Sequence, residues 1–551
     1  MEYVIKLAAA VGNGSGYARS IINAAAHSEP TARRCRLKRL AFALFFVASS
    51  PAIEVRQYQP HDFTLSAPVL GNPFDIDVHG EFTGPNGRML RIPGFFDGGG
   101  KWKIRFSAPV PGAWKMRTFS PVAALNGQTE DIQASPNTQA NSHGVLRVDP
   151  QHPYHFLFED GTRFFLMGYE ADWLWGADML DPQRKVMHRL IDQIAARGFN
   201  YVLVNVYAHD TRWCPGKVNE FDYGPSPVYA WEGTNEKPDH SRLNPRFFQI
   251  YDGMMDALRE KGIVAHIMVK VYNKQVRWPA AGSADEARFF RYVTARYQAY
   301  PNVVWDFAKE SYNEKNNQLQ KNLIDQVRAA DAYRHMMGVH DDDAYEWDST
   351  LNTNLDLRID QQHHDWEQMI AFDRAQRARP IVNVEYSYEL GVEPLLTHTN
   401  VNQVDWKENL VRAYRIMMAG GYVAYYYNNT AWDIVKPDPE PPGYARFQIM
   451  KQVFESMPYW RMNPEPSLAV GGTCLSDRSS TMLCLAEGKQ PRPRERRLTL
   501  NLTSFASALN TEWINTWTGE HKPAGKLSPG IATVDYPKEF DGAPALLLLR
   551  R

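Results

Sequence analysis

The stretches NVVWDFAKE (302–310) and PIVNVE (380–385) are two apolar runs that each end on a glutamate. A strand of a parallel sheet is buried on both faces, so it has a short continuous apolar sequence of this kind. In a (β/α)8 barrel, residues at the carboxyl ends of the strands point into the active site. If both strands belong to one barrel, Glu310 and Glu385 therefore lie at the same mouth.

Further runs of this kind alternate with helical segments between His143 and residue 459, and this alternation predicts a (β/α)8 TIM barrel. The predicted strands are 163–168, 201–206, 264–269, 302–307, 335–339, 356–361, 381–385 and 422–426. Apolar residues at helical spacing predict helices over 182–197, 246–261, 319–332 and 444–457. The fifth and sixth strands are close in sequence, so the helix between them must be short or degenerate.

Short strands with alternating apolar and polar residues flank this barrel and predict two β-sandwich domains, at 53–142 and 460–551. Within them the predicted strands are 74–79, 102–106, 115–119, 497–502, 511–517 and 545–549. Residues 127–142 are polar and irregular, which is typical of a long loop or a linker. The predicted fold class is thus α/β, with a TIM barrel between two β-sandwiches.

Residues 1–52 are an N-terminal extension with a targeting signal. A basic stretch at 33–39 precedes a short apolar run at 40–48 and the small residues of 50–52. This order is similar to a secretory signal peptide and predicts a secreted or periplasmic protein. The alternative, an uncleaved membrane anchor, needs a longer apolar run.

Two of the four cysteines, Cys474 and Cys484, flank a predicted hairpin in the C-terminal β region. In an oxidising compartment they could form a disulfide or remain as free thiols, and the sequence leaves both states open. Cysteine and histidine spacings do not match a structural zinc site.

Composition limits the classes of function. Hydrophobic residues make up 44% and charged residues 22% of the chain, which is typical of a soluble globular protein. The net charge of −1 gives no basic field that would attract nucleic acid. Aromatic residues reach 12%, and their faces can either stack on sugar rings or fill the core. Composition alone does not choose between these two uses, and it leaves the oligomeric state open. The predicted partner, a carbohydrate substrate, follows from the two glutamates.

Glu310 and Glu385 are suited to two different tasks. A carboxyl group just past a strand end, as at Glu310, can protonate a leaving oxygen if its surroundings raise its pKa. A carboxylate on a strand as apolar as that of Glu385 can attack an anomeric carbon. The alternatives are a helix cap or a pair with Lys309 for Glu310, and a structural ion pair for Glu385. Together the two glutamates predict a retaining glycoside hydrolase.

Other strand ends carry polar and aromatic residues, which a sugar substrate requires. The candidates for substrate contacts are Asp172, Trp173, Tyr207, His209, Lys270, Asn313, His340, His363, His364, Tyr388 and Trp432. Further candidates at the same ends are Tyr169, Glu170, Asp210, Asp341, Tyr427 and Asn428. Tyr388 or a histidine of the sixth strand is expected to orient Glu385. The alternative for each of them is a polar loop residue with no contact to substrate.

The same histidines and aspartates suggest a metal site as another interpretation. However, no two histidines have the i, i+4 spacing of a zinc hydrolase helix. Phosphate-binding glycine loops and Gly-x-Ser-x-Gly elbows are also absent from the sequence. The prediction is therefore a site without metal or cofactor.

The pair of glutamates resembles clan A of the retaining glycoside hydrolases. There the acid/base ends the fourth strand in a Trp-x-x-x-Asn-Glu setting and the nucleophile ends the seventh. Trp305 and Glu310 match this setting, whereas Lys309 stands where the asparagine that contacts the sugar 2-hydroxyl is usual. Asn313 and Glu314 give a second Asn-Glu pair farther along, and Glu314 is a minor alternative for the acid.

The wider chain resembles apiosidase-like barrels, which carry an N-terminal β-sandwich of unassigned function and a C-terminal β domain named for collagen binding. The resemblance lies in NPF (72–74), IPGFFD (92–97) with Trp102, PGAW (111–114), FLMG (165–168), Asp172-Trp173 and TWTG (516–519). It implies hydrolysis of a poly- or oligosaccharide, with Glu310 as acid/base and Glu385 as nucleophile. A transglycosylase and a non-catalytic carbohydrate-binding protein remain alternatives. The long connection at 211–240 is expected to wall the pocket.

Overall fold

The computed structural model describes residues 51–209, 217, 220–341, 355–391, 402–487 and 497–551. Most of the predicted signal segment lies outside these residues, as do Asp210 and most of the connection predicted between the fifth and sixth strands. In the part of the chain that is described, no helix combines the length and the apolarity needed to cross a membrane.

Two sheets form the N-terminal part of the described chain. Their strands are β1 (Ile53–Arg56), β2 (His61–Ser66), β3 (His79–Thr83), β4 (Met89–Pro93), β5 (Phe95–Phe96), β6 (Lys101–Phe106), β7 (Gly112–Phe119) and β8 (Thr129–Ser135). One sheet has the order β1-β8-β7-β3-β4 and the other the order β2-β6-β5. Their apolar faces pack together: the ring of Phe82 in β3 stacks 4.2 Å from that of Phe106 in β6.

Two predictions for this region were wrong. Residues 74–79 do not form a strand, because Asn72 caps a short 3-10 helix, Pro73–Asp75, and β3 begins only at His79. Conversely, the stretch expected to be a loop contains β8, which pairs with both β1 and β7. In β8, Ile132 and Ala134 are buried whereas Asp131 and Gln133 are exposed, so the strand carries a short alternating pattern within a polar sequence.

A small three-stranded sheet leads into the barrel. It consists of β9 (Leu146–Val148), β10 (Phe156–Phe158) and β11 (Arg163–Phe164). The predicted first barrel strand, 163–168, is therefore displaced: its beginning pairs with β10, and the barrel strand β12 (Gly168–Glu170) starts at its end. A Cβ atom at Gly168 would lie 2.8 Å from that of Ala424, so the close approach of the neighbouring strand requires glycine here.

Nine parallel strands form a nearly closed barrel. The barrel strands after β12 are β13 (Tyr201–Asn205), β16 (Val264–Val271), β17 (Val303–Lys309), β18 (Met337–Gly338), β19 (His340–Asp341), β20 (Arg358–Asp360), β21 (Ile381–Asn383) and β24 (Tyr422–Tyr427). Four short strands lie outside this series: the hairpin of β14 (Trp231–Gly233) and β15 (Pro238–Leu243), and the pair β22 (Tyr388–Glu389) and β23 (Gln403–Val404). The barrel order is β18-β17-β16-β13-β12-β24-β21-β20-β19. Only Val339 separates β18 from β19, so the two ends of this series meet. Apart from the displaced first strand, the barrel strands lie where the sequence predicts them.

The helices are α1 (Lys185–Ala196), α2 (Pro245–Glu260), α3 (Ala284–Tyr297), α4 (Asn317–Ala330), α5 (Trp366–Gln376), α6 (Trp406–Met418) and α7 (Gly443–Glu455). Side-chain caps define several of their beginnings, because an oxygen that accepts from a free backbone N–H satisfies it. Asn244 accepts from Arg246, and Asp405 accepts from Glu408. The four helices predicted from apolar spacing are confirmed to within a few residues.

Two further sheets form the C-terminal part of the chain. Their strands are β25 (Asn463–Pro464), β26 (Ala469–Val470), β27 (Thr473–Ser476), β28 (Thr481–Ala486), β29 (Arg497–Asn501), β30 (Leu509–Asn515), β31 (His521–Leu527), β32 (Ile531–Asp535) and β33 (Ala545–Arg550). They enclose a separate apolar core that includes Leu500, Trp513 and Leu547. Cys474 of β27 and Cys484 of β28 face each other and form a disulfide. The structure thus selects the paired state that the sequence left open.

We expect Cys474→Ala/Cys484→Ala to lower the free energy of unfolding by about 2–3 kcal/mol, since the bond closes a loop of about ten residues. Denaturant unfolding followed by circular dichroism measures the loss. A reducing agent should destabilise the wild type by a similar amount and leave the variant unaffected. If the reducing agent leaves the wild type's stability unchanged as well, the disulfide has no stabilising role.

Candidate active site

Glu310 follows directly after the last residue of β17. Its backbone lies in the left-handed region, with a φ of 55°, which costs a residue other than glycine about 1–2 kcal/mol. This conformation ends the strand and begins the short 3-10 turn Ser311–Asn313. The side chain is buried, and Asn273, which follows β16, donates a hydrogen bond to its Oε1. Backbone strain at such a position is typical of a functional residue.

The carboxyl group of Glu310 is held partly protonated. Burial, and after it the negative charge of Glu385, raise the pKa of Glu310 to about 6. The positive charges of Lys274 and Lys309 act against this shift. A group with this pKa can give up a proton and take it back near neutral pH.

Glu385 lies two residues beyond the end of β21 and is also buried. The hydroxyl of Tyr388 donates a hydrogen bond to its Oε1. Its Oε2 lies 3.5 Å from the Nζ of Lys309 and 3.7 Å from the Nε2 of His340. The carboxylate is therefore contacted from three other parts of the barrel mouth.

Lys309 contacts carboxyl groups on the opposite side as well. Its Nζ contacts Glu170 and lies 3.3 Å from both oxygens of Asp172. Asp172 also accepts a 2.7 Å hydrogen bond from the hydroxyl of Tyr426. One buried ammonium group therefore connects the end of β12 with Glu385.

Aromatic rings line the site beside these charges. The rings of Tyr388 and Tyr426 lie 4.4 Å apart, and Trp432 lies 6.0 Å from Tyr388. The Nζ of Lys274 lies 4.9 Å from the centre of the Trp432 ring. Burial, and next the charge of Lys309, lower the pKa of Lys274. Such a mixture of ring faces and fixed charges suits a polyol with several hydroxyl groups.

A buried polar chain supports the site from within the barrel. Asp306 of β17 lies 2.9 Å from the Nε2 of His266, whose Nδ1 lies 2.8 Å from the hydroxyl of Tyr201. His340 lies above them, with its Nε2 2.8 Å from Gln361. Burial, assisted by the charge of Lys309, lowers the pKa of His340 well below its ordinary value. His340 is therefore neutral beside Glu385.

The structure brings four of the predicted substrate contacts together with the two glutamates: Asp172, His340, Tyr388 and Trp432. The predicted role of Tyr388 in orienting Glu385 agrees with its hydrogen bond. That these four residues contact a sugar remains a prediction.

Other predicted contacts are engaged elsewhere. Trp173 stacks 6.1 Å from Trp175, which in turn stacks 5.6 Å from Tyr207, in an aromatic cluster beside the β14–β15 hairpin. The hydroxyl of Tyr207 donates to Asn235, and Lys270 donates to Glu286 of α3 at 2.7 Å. The polar groups of Tyr207 and Lys270 therefore have hydrogen-bond partners within the protein.

The remaining candidates have varied surroundings. His209 is buried, and the centre of its ring lies 6.4 Å from that of Tyr207. His363 lies 2.6 Å from the side-chain nitrogen of Asn402, and burial lowers its pKa. His364 is exposed beside Asp365, and the exposed Asn313 donates to the backbone oxygen of Glu310. Further sites at these strand ends include Tyr169, bonded to Thr430 and Tyr444, and the buried Tyr427 and Asn428.

Three residues at the site were not singled out from the sequence: Asn273, Lys274 and Tyr426. The first two follow the third predicted strand, where a polar pair is a weak signal. Tyr426 lies two residues after Ala424 on β24, so alternation along the strand places both on one face. Among the described residues, no group of three or more histidine, cysteine, aspartate or glutamate side chains is arranged to hold a metal ion.

Comparison with known families identifies the barrel. The family described as "Apiosidase-like, catalytic domain" matches residues 151–463, more than half of the 551-residue chain. The chain belongs to the apiosidase-like family. A second family, a domain of unknown function called DUF5060, matches residues 54–121. Comparison of this apiosidase-like chain with curated proteins finds no match.

Solved structures show the same fold for this family member. A candidate glycoside hydrolase from Bacteroides vulgatus is 20% identical, with a TM-score of 0.74 over 91% of this chain and 100% of its own. A glycoside hydrolase family 5 protein from the same organism is 15% identical, with a TM-score of 0.56 over 74% of this chain and 93% of its own. A third structure, described as a glycoside hydrolase, has 16% identity and a TM-score of 0.57 over 74% of this chain and 97% of its own. The apiosidase-like chain thus has a glycoside hydrolase fold.

Proposed function

We propose that this protein is a glycoside hydrolase that cleaves a glycosidic bond in a poly- or oligosaccharide with net retention of configuration. Its barrel is interpreted as a (β/α)8 barrel of clan A type, in which β18 and β19 are one strand interrupted at Val339. The disulfide of the C-terminal sheet supports a secreted or periplasmic location, since such bonds persist in oxidising compartments.

One observation carries this proposal: two buried carboxyl groups with different environments share one barrel mouth. Glu310 lies past β17 and Glu385 past β21, and the charge of Glu385 is among the causes that raise the pKa of Glu310. A buried carboxyl group with a raised pKa is suited to act as the acid. A second carboxyl group at the same mouth can act as the nucleophile, and a double displacement at an anomeric carbon requires such a pair.

The proposed reaction has two displacements. In the first, Glu385 attacks the anomeric carbon while protonated Glu310 gives its proton to the leaving oxygen, and a glycosyl ester of Glu385 forms. In the second, Glu310 takes a proton from water, which attacks the same carbon and releases Glu385. Tyr388 and Lys309 stay in contact with Glu385 and limit its movement between the two steps.

We expect kcat/KM to fall as the pH rises above about 6. Glu310, whose pKa is raised to about 6, must carry its proton to act as the acid, and the ionised form that prevails above this pH has none to give. A pH profile on a substrate with a poor leaving group measures this limb. In Glu310→Gln the limb should disappear, and a limb that persists there belongs to another group.

The test of the proposed function is a screen of the purified protein against plant, algal and bacterial polysaccharides and aryl glycosides, with product anomers followed by NMR. The expected result is a product that first appears with the anomeric configuration of the substrate. A product that first appears inverted would contradict the double displacement. Sugar products that form only with added acceptors would instead indicate a transglycosylase, which uses the same carboxylates.

Lys309 gives one reason to keep a second candidate, a non-catalytic carbohydrate-binding protein. This residue stands where the sequence resemblance leads one to expect an asparagine that contacts the sugar, and its ammonium group is taken up by carboxyl groups. Isothermal titration separates the two candidates. Heat of glycan binding without product release would favour the binding protein.

A further inference from the structure

Lys309 is the last residue of β17, and its side chain has no exposed surface. Its ammonium group meets three carboxyl groups: Glu170 and Asp172 at the end of β12, and Glu385 beyond β21. Its hydrogen bonds go to Glu170 and to both oxygens of Asp172, whereas Oε2 of Glu385 forms an ion pair with it at 3.5 Å. These contacts leave Lys309 no evident task in binding a substrate hydroxyl.

We propose that Lys309 is a positioning residue for the nucleophile: anchored by Glu170 and Asp172, its ammonium group holds the side chain of Glu385 in place. This inference rests on the proposed role of Glu385. It adds a residue of the fourth strand to the reaction without contact to the substrate. It also assigns a task to the acidic pair on β12, which fixes the lysine.

The charges of the site support this arrangement. Burial, followed by the charges of its carboxylate neighbours, raises the pKa of Glu170 well above its ordinary value even though Lys309 opposes the shift. Burial acts on Asp172 as well, but the charges of Lys309 and Lys274, with hydrogen bonds to Glu170 and Tyr426, lower the pKa of that carboxyl group. Lys309 therefore contacts one carboxyl group with a raised pKa and one with a lowered pKa.

Titratable side chains surround Glu385 at the barrel mouth. They are Glu170, Asp172, Lys274, Lys309, Glu310, His340, His363, Tyr388 and Tyr426. Among the described residues, Lys309 is the one lysine or arginine whose nitrogen lies within 4.0 Å of this carboxylate. His340 is as close but neutral, and Tyr388 contributes a hydrogen bond without charge. Among the described neighbours, Lys309 therefore provides the nearest full positive charge to the carboxyl group of Glu385.

The experiment compares crystal structures of the wild type and of Lys309→Met at Glu385. In the wild type we expect Oε2 of Glu385 to lie about 3.5 Å from the Nζ of Lys309. Methionine keeps much of the length of the side chain but has no ammonium group. In Lys309→Met the carboxyl group of Glu385 should therefore move by about 1 Å, the scale of misplacement that costs about a hundredfold in rate.

Two outcomes overturn the inference: a Glu385 carboxyl group that keeps its place in Lys309→Met, or a wild-type Glu385 whose carboxyl group lies away from Lys309. If Lys309→Met does not fold, Asp172→Asn decides, because it weakens the anchor of Lys309. In that variant the lysine and the carboxyl group of Glu385 should move together, and a Glu385 that stays in place while Lys309 moves excludes the proposed arrangement.

Kinetics add a readout that separates positioning from general loss of structure. On any substrate that the wild type hydrolyses, Lys309→Met should lower kcat by about a hundredfold, the scale of a misplaced reacting group, with KM nearly unchanged. Because the crystal structures need no substrate, they remain valid if the proposed function fails, and a substrate that Glu385→Ala still hydrolyses would refute that function alone.

Discussion

Glu385→Ala is expected to lower kcat by on the order of 10⁴- to 10⁶-fold, the scale of removing the nucleophile from a covalent reaction. The methyl group of alanine cannot attack the anomeric carbon, and the cavity that it leaves admits water without activating it. The measurement is turnover of the best aryl glycoside found in the screen. Circular dichroism should show an unchanged fold, since Glu385 lies beyond the end of β21 and not in its hydrogen-bonded ladder.

A small anion should reveal what Glu385 does. In the cavity of Glu385→Ala, added azide can attack the anomeric carbon while Glu310 still protonates the leaving group. One displacement then replaces two, so the glycosyl azide should have the inverted configuration. The matched control is Glu455→Ala, which removes an exposed glutamate paired with Lys451 and should leave turnover unchanged. Full activity of Glu385→Ala would exclude it as the nucleophile.

The second large effect is expected at Glu310, and it should depend on the leaving group. Glu310→Ala removes the proton donor, so hydrolysis of natural glycans and other poor leaving groups should fall about 10²- to 10⁴-fold. Aryl glycosides whose leaving groups need no proton should still react in the first step and accumulate the glycosyl-enzyme. A plot of log kcat/KM against leaving-group pKa, steep for the variant and shallow for the wild type, is the measurement.

Azide distinguishes this role from that of the nucleophile. In Glu310→Ala it attacks the glycosyl-enzyme without needing a base, so it should restore turnover and give a glycosyl azide of retained configuration. Glu314→Gln is the matched control, because Glu314 is the alternative acid nearby and its side chain accepts from the backbone of Asn316. Loss of activity in Glu314→Gln, with Glu310→Ala fully active on a natural glycan, would exchange the two assignments.

Local sequence was sufficient for much of the fold. The barrel strands are continuous apolar runs, as burial on both faces requires, and the four helices have apolar residues along one stripe. Both kinds of element were predicted to within a few residues. The errors arose where local patterns fit two partners. Residues 163–168 can pair with the small three-stranded sheet or with the barrel. In the structure, Arg163 and Phe164 pair with β10, and Gly168 pairs with the barrel strand β13. Residues 74–79 alternate like a strand, but the Asn72 cap and Pro73 form a 3-10 helix instead.

The candidate site divides in the same way. Glu310 and Glu385 were predicted because each ends an apolar run, and Lys309 was seen to be unusual for its position. Its partners could not be inferred, because Glu170 and Asp172 lie 139 and 137 residues earlier in the chain. Lys270 and Tyr207 have the same polar appearance at a strand end, yet they pair with Glu286 and Asn235.

The sequence by itself therefore determined which carboxyl groups end buried strands, since burial of a strand is written in its own consecutive residues. The tertiary structure alone decided which charges meet. Closing the barrel places Lys309 between Asp172 and Glu385, and it raises the pKa of Glu170 and of Glu310. Protonation depends on the distances between charges and on their burial, and both arise only when strands that are distant in sequence come together.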